Sequence, residues 1–294
     1  MGAGTLLVAT LAVPVGMLAA CLSRRVRDRM PALLGLAPVP ALAAALLASG
    51  GPPLVLDQAR LQFTLALDPP GAMLLGVAAM LWSASGIYAR TYLRGQPNGG
   101  RFSVWWLLTL TGSLGVFIAA DMASFYVVFG LASLAACGLV VHDGTPFAQR
   151  ATAIYLALAV LGEICLLMAF ALLAAAAPGD SLAIRDAVAT LPTSPWRNLT
   201  LALLIAGFGL KIGLVPLHVW LPLAYRAAPM PAAAVLSGAI SKAGVIGLIR
   251  FLPFDAALPD WGESSPRWGC FRRSTASRSG SRRPIRRPCW PTPA

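Results

Sequence analysis

Lysine occurs only twice in this chain, at positions 211 and 242, and eleven carboxylates leave charged residues at 12% of the sequence. A soluble domain carries about 25%, so the deficit excludes one. Cysteine is equally uninformative as a framework. Cys21, Cys137 and Cys165 lie in apolar runs, where a thiol acts as a small hydrophobe, and Cys270 and Cys289 lie near the C-terminal end. No Cys/His spacing suits zinc or an iron–sulfur cluster. A Rossmann fingerprint is missing, and GFGLKIG at 207–213 departs from the phosphate-loop spacing and sits inside an apolar run. The ten-residue alternation of a porin-type barrel is also missing.

What remains is apolar. Hydrophobic residues make up 57% of the chain, and mean hydropathy is +0.73. Runs of about 20 apolar residues recur, each long enough to cross a hydrocarbon core of ~30 Å as a helix. The sequence therefore predicts an all-α integral membrane protein, a polytopic bundle of about eight spans. The net charge of +12 is no sign of nucleic-acid binding. Eight arginines crowd residues 267–287, and most others sit in short loops between spans, as membrane topology requires.

Taken in order, residues 1–50 hold two spans, Leu6–Leu22 and Pro31–Ser49, the first retained rather than cleaved because no basic leader precedes it. Residues 51–70 form an extended connector, whose run LQFTLALD alternates apolar and polar residues and predicts a short hairpin on the membrane face. A core from 71 to 260 carries six further spans: Gly71–Tyr92, Phe102–Ala120, Ser124–Val141, Ala151–Ala176, Leu199–Leu217 and Ala232–Leu252. Pro178–Arg197 is too polar to cross and predicts a short interfacial segment. With the N-terminus outside, inner loops carry most of the arginines, which fixes the orientation. Residues 261–294 read as a basic disordered tail. Its abrupt switch to Arg, Ser, Pro, Trp and Cys is what a change of reading frame would produce, the alternative being a tail that binds acidic lipid.

Three charges fall in the middle of spans. A lysine there costs roughly 2.5–3.5 kcal/mol on insertion scales, and with none on the loops, Lys211 and Lys242 cannot be explained by solubility. Lys211 lies among Gly207, Gly209 and Gly213, and Pro216 removes a backbone donor, so the helix is expected to break just past the lysine. Broken membrane helices line polar cavities. His218 follows Lys211 by seven residues, two turns of an unbroken helix, and so could share its face. Glu163, in AVLGEICLL, must be protonated or paired with a cation. His142 and Asp143 read as solvated turn residues, and Asp68 and Asp121 are ambiguous.

The stretch GFGLKIGLVPLHVWLPLAYRAAPMPAAAVLSGAISKAG resembles the signature region of the proton-conducting antiporter-like subunits of complex I, multisubunit sodium/proton antiporters and membrane-bound hydrogenases. FYVVFGLASLAACGLVVHDGTP and YLALAVLGEICLL are most similar to hydrogenase-4 component B-type subunits. The resemblance covers roughly residues 54–259. It implies that Lys211 is the lysine of the broken seventh helix, His218 the histidine after the break and Lys242 the connecting lysine of the eighth helix. Three departures stand out. Gly130 replaces a glutamate expected before the Leu131–Leu134 run, and Ala224, Tyr225, Arg226 replace Ala-His-Pro. Relatives also continue for about six more spans, so this chain corresponds to one half-channel.

The expected function is thus proton translocation within a complex I-like or hydrogenase-linked assembly of the bacterial inner membrane. Protons would pass along Glu163, Lys211, His218 and Lys242. The chain would hold no redox centre, cofactor or metal of its own, and its partners would be other membrane subunits and lipid, not nucleic acid. The alternatives are a subunit of a sodium/proton antiporter, or a truncated, non-conducting scaffold.

Overall fold

Backbone amides in hydrocarbon have no water to bond, so an apolar run must close its own hydrogen bonds as a helix. The computed structural model describes residues 2–58, 61–96, 98–177 and 182–253. Among these, seven helical stretches are long and apolar enough to cross a membrane. The tail expected at 261–294 lies outside the described residues, as do the last residues of the core.

The chain opens with α1 (Ala3–Ala20), followed by the short basic α2 (Arg24–Arg29). The second expected span differs in detail from its prediction. Instead of one helix over 31–49 there is a 3₁₀ turn (Met30–Ala32), a run of turns, and α3 (Val39–Leu47) of only nine residues. Pro31, Pro38 and Pro40 account for this, since each lacks the amide an unbroken helix needs. The segment still runs antiparallel to the next helix. Gly35 packs against Ser83 and Ile87, and Ala45 faces Gly76.

The connector contains β1 (Leu54–Gln58) and β2 (Leu61–Leu65), paired antiparallel with Leu54 opposite Leu65. Three long helices follow: α4 (Pro69–Tyr92), α5 (Gly99–Ile118) and α6 (Met122–Val140). Helix α5 lies at the centre, with Phe102, Trp106, Leu107, Leu110, Leu114 and Phe117 fully buried. Asp121 is no longer ambiguous. It caps α6 by accepting the Ser124 amide at 2.7 Å, and it accepts the Thr64 amide of β2 at 2.8 Å.

Helix α7 (Pro146–Ala176) is the longest and leads to the short α8 (Ile184–Thr190). The region after it comes in pieces: α9 (Arg197–Ile212), a 3₁₀ turn (Leu217–Val219), α10 (Trp220–Ala227), α11 (Met230–Val235), a π turn (Leu236–Ile240) and α12 (Ser241–Phe251).

The bundle has two distinguishable ends. At one, the hairpin bonds to residues 118–120 and Asp121 bridges to Ala183. Arg250, closing α12, reaches the same end, where it pairs with Asp68 and donates to the carbonyls of Val116, Phe117 and Ala119. At the other end Arg27 packs on Gly100, and Arg226 lies over the Phe147 ring at 5.3 Å. Most of the arginines in the connections between helices lie at this second end, whereas Arg185 of α8 and Arg250 lie at the first.

Candidate functional site

Helix α9 stops one residue past Lys211. Gly213 takes φ +79°, a left-handed conformation that other residues enter at a cost, and the Leu214 amide turns back to the Gly209 carbonyl at 2.8 Å. The break leaves the carbonyl of Leu210 without its helical partner. The Trp220 indole takes it, donating from Nε1 at 2.8 Å. A broken helix is thereby kept with its buried polar groups satisfied, which is the condition for its survival in a membrane.

Lys211 points into the interior and is 6% exposed. Its Nζ donates to Ser133 Oγ of α6 at 2.7 Å and lies 5.5 Å from the centre of the Phe129 ring. Ser133 was not singled out from sequence, although it stands in the Leu131–Leu134 run that served there only as a landmark. The Tyr155 hydroxyl of α7 donates to the Ser133 carbonyl at 3.0 Å.

Glu163 comes from α7 and is 8% exposed; neither carboxylate oxygen has a hydrogen-bond partner. It shares with Lys211 a cavity of about 20 Å³, lined also by Phe129, Ser133, Tyr155, Leu158 and Trp220. That is room for about one water molecule. Helices α7 and α9 come this close because Gly162 and Gly207 face each other, the backbone of each against the other. Acid and ammonium thus border one small polar space with no direct bond between them.

Gly130 of α6 faces the Glu163 carboxylate. A Cβ built there would lie 3.7 Å from Glu163 Oε2 and would meet nothing nearer. The carboxylate of α7 therefore occupies the region toward which a side chain at 130 would grow.

The other two expected relay residues stand apart. His218 is exposed, in the 3₁₀ turn beyond the break. The two-turn spacing that would have given it Lys211's face requires an unbroken helix, and this helix ends at Ile212. Lys242 is half-buried, directly after the π turn, and among the described residues it makes no hydrogen bond or ion pair. Its helix nevertheless meets the site. A Cβ on Gly244 would lie 2.9 Å from the Phe208 carbonyl and 3.2 Å from Lys211 Cβ, so α12 approaches α9 backbone to backbone beside the lysine. His142 is buried rather than solvated, edge-on to Phe102 at 5.1 Å. No group of three or more potential metal ligands occurs among the described residues.

Residues 119–264 match the family described as NADH:quinone oxidoreductase/Mrp antiporter, TM. Through that segment the chain belongs to the proton-antiporter-like membrane subunits. NADH-quinone oxidoreductase subunit N of Desulforudis audaxviator is 32% identical over 198 residues, covering 65% of this chain and 38% of that protein. Hydrogenase-4 component B of Escherichia coli K12 is 29% identical over 204 residues, covering 67% of this chain and 30% of its own. A chain of the membrane-bound sulfane sulfur reductase, an archaeal respiratory membrane complex, superposes with a TM-score of 0.71 at 25% identity, over 83% of this chain and 40% of that one. This antiporter-like chain thus spans well under half the length of the relatives it matches, and the matched segment contains the Lys211–Glu163 cavity.

Proposed function

We propose that this chain is the proton-carrying part of a membrane subunit in a complex I-like or hydrogenase-linked assembly of the bacterial inner membrane. Lys211 is the central proton carrier and Glu163 the acid that modulates it. The observation carrying this reading is the shared cavity: a buried ammonium and a buried carboxylate on facing helices, with space between them for water. A proton moving to the carboxylate neutralises it and removes its stabilising field from the ammonium, which then releases its own proton more readily. Each deprotonation of Glu163 reverses the bias. A membrane potential offers about 2.3 kcal/mol per charge per 100 mV, comparable with the cost of holding either charge.

Lys242 is the next carrier, on the helix that Gly244 brings against Lys211. His218 lies outside this contact and would join only where a further subunit covers it. Partner subunits perform the redox step. A sodium/proton antiporter subunit is the second reading, favoured by the family's inclusion of antiporters; sodium-dependent flux without any redox partner would distinguish it.

The test is proton translocation by the assembled complex in vesicles. Lys211→Ala and Glu163→Gln should each lower it roughly tenfold or more, with the complex still assembled. Unchanged translocation in Lys211→Ala would overturn the proposal in favour of a scaffold.

A further inference from the structure

Between the Lys211 cavity and the hairpin end, the bundle is filled by phenylalanine. Phe125 and Phe129 of α6, Phe170 of α7, Phe208 of α9 and Phe251 of α12 form one cluster, all but Phe170 at 2% exposure or less. Ring centroids lie 4.6 Å apart for Phe170–Phe251, 5.1 Å for Phe125–Phe251 and 5.7 Å for both Phe129–Phe208 and Phe208–Phe251. All four helices that surround the lysine contribute a ring.

Chain direction puts every ring on the same side of the site. Helix α6 starts at the hairpin end, and Phe125 and Phe129 precede Ser133. Phe208 precedes Lys211 on α9, which starts from that end as well. Helix α7 runs the other way, and Phe170 lies two turns beyond Glu163. Phe251 ends α12, next to the Arg250 that is tied to Asp68. Phe129 and Gly207 wall the cavity on this side, whereas Tyr155 and Leu158, which precede Glu163 on α7, wall it in the opposite direction. On the arginine side the cavity wall carries the Tyr155 side chain of α7 and the Trp220 side chain beyond the break. On the hairpin side the ammonium meets the Phe129 ring directly. Packing there leaves no slack, because a Cβ on Gly247 would collide with the Phe208 ring.

We propose that this five-ring cluster is a dry seal that makes the Lys211 site single-sided. A proton reaching Lys211 from the arginine end meets the packed rings of Phe129, Phe208, Phe125 and Phe251 on the straight route to the hairpin face, with the Tyr126 hydroxyl beside Phe170 turned to the Glu163 carbonyl, and an apolar constriction blocks ion passage by excluding water. The seal forces transfer sideways and prevents the membrane potential from driving protons straight through. It rests on the reading of Lys211 as a proton carrier.

The experiment measures passive leak with the full chain alone in vesicles. A potassium gradient with valinomycin imposes the potential, and a trapped pH dye reports proton entry. Phe208→Ser should raise the leak about tenfold, Phe208→Leu should leave it at the parent level, and Phe208→Ser with Lys211→Ala should return it to that level. A folded Phe208→Ser protein with parent-level leak would overturn the seal. So would a leak that persists without Lys211, or one equally large with leucine. Should Phe208→Ser fail to fold, Phe170→Ser, at the edge of the cluster, carries the same three comparisons. The carrier role itself is judged separately in the assembled complex, so a Lys211-dependent leak beside unchanged pumping would leave the seal standing and the carrier reading refuted.

Discussion

At the scale of single residues, partners separate one buried carboxylate from another. Glu163 has two buried oxygens and no partner, whereas Asp121, equally buried, accepts three hydrogen bonds and is structural. The sequence puts Glu163 inside a span and leaves Asp121 ambiguous beside one; which of the two is hydrogen-bonded depends on what a distant segment brings. His142 shows the same limit. Its neighbours in sequence suggest a wet turn, but Phe102, forty positions away, covers it. Burial lowers its pKa from 6.5, with Asp143 opposing the shift and Arg101 adding to it. In the unfolded chain the imidazole binds a proton at higher pH than in the fold. Stability is therefore full above pH 6.5 and is lost as pH falls toward the folded value. Thermal unfolding in detergent should show a lower midpoint at acid pH for the parent than for His142→Gln, relative to neutral pH; parallel curves would refute it.

At the scale of elements, apolar run length predicts where the chain crosses, and proline predicts where it cannot stay helical. The break after Lys211 was legible because glycine and proline flank it. Its exact form was not, because the Trp220 indole that satisfies the freed carbonyl lies ten residues on. The π turn before Lys242 has no proline or other sequence mark. The broken second crossing reads in sequence as one helix, because a membrane helix can tolerate Pro38 and Pro40 where neighbours satisfy the freed carbonyls. Gly213 is the element's weak point. An alanine there must adopt φ +79°, which costs roughly 1–2 kcal/mol, and its methyl would overlap the Leu221 side chain. Gly213→Ala should lower the melting midpoint in detergent and weaken proton translocation together. An unchanged midpoint would mean the break has another support.

At the scale of the whole molecule, asymmetry organises the fold. Hairpin, ion pair and aromatic cluster gather at one end, and the arginine-bearing loops with the cavity's polar walls face the other. The arginine distribution was visible in the sequence as a loop bias, because charge must stay out of hydrocarbon wherever it falls in the chain. The aromatic cluster was not, since its five rings come from four helices whose mutual rotation no local pattern encodes. The relocated acid falls between these cases. The resemblance exposed a glycine where a glutamate was expected, and only the packing of α7 on α6 brought Glu163 to that place.

The acid's position offers the most direct measurement. In the assembled complex, proton translocation should fall in Glu163→Gln and recover in the double variant Gly130→Glu with Glu163→Gln, because either helix can then present a carboxylate to the cavity beside Lys211. Full translocation in Glu163→Gln alone would contradict the account, as would a folded double variant that fails to recover.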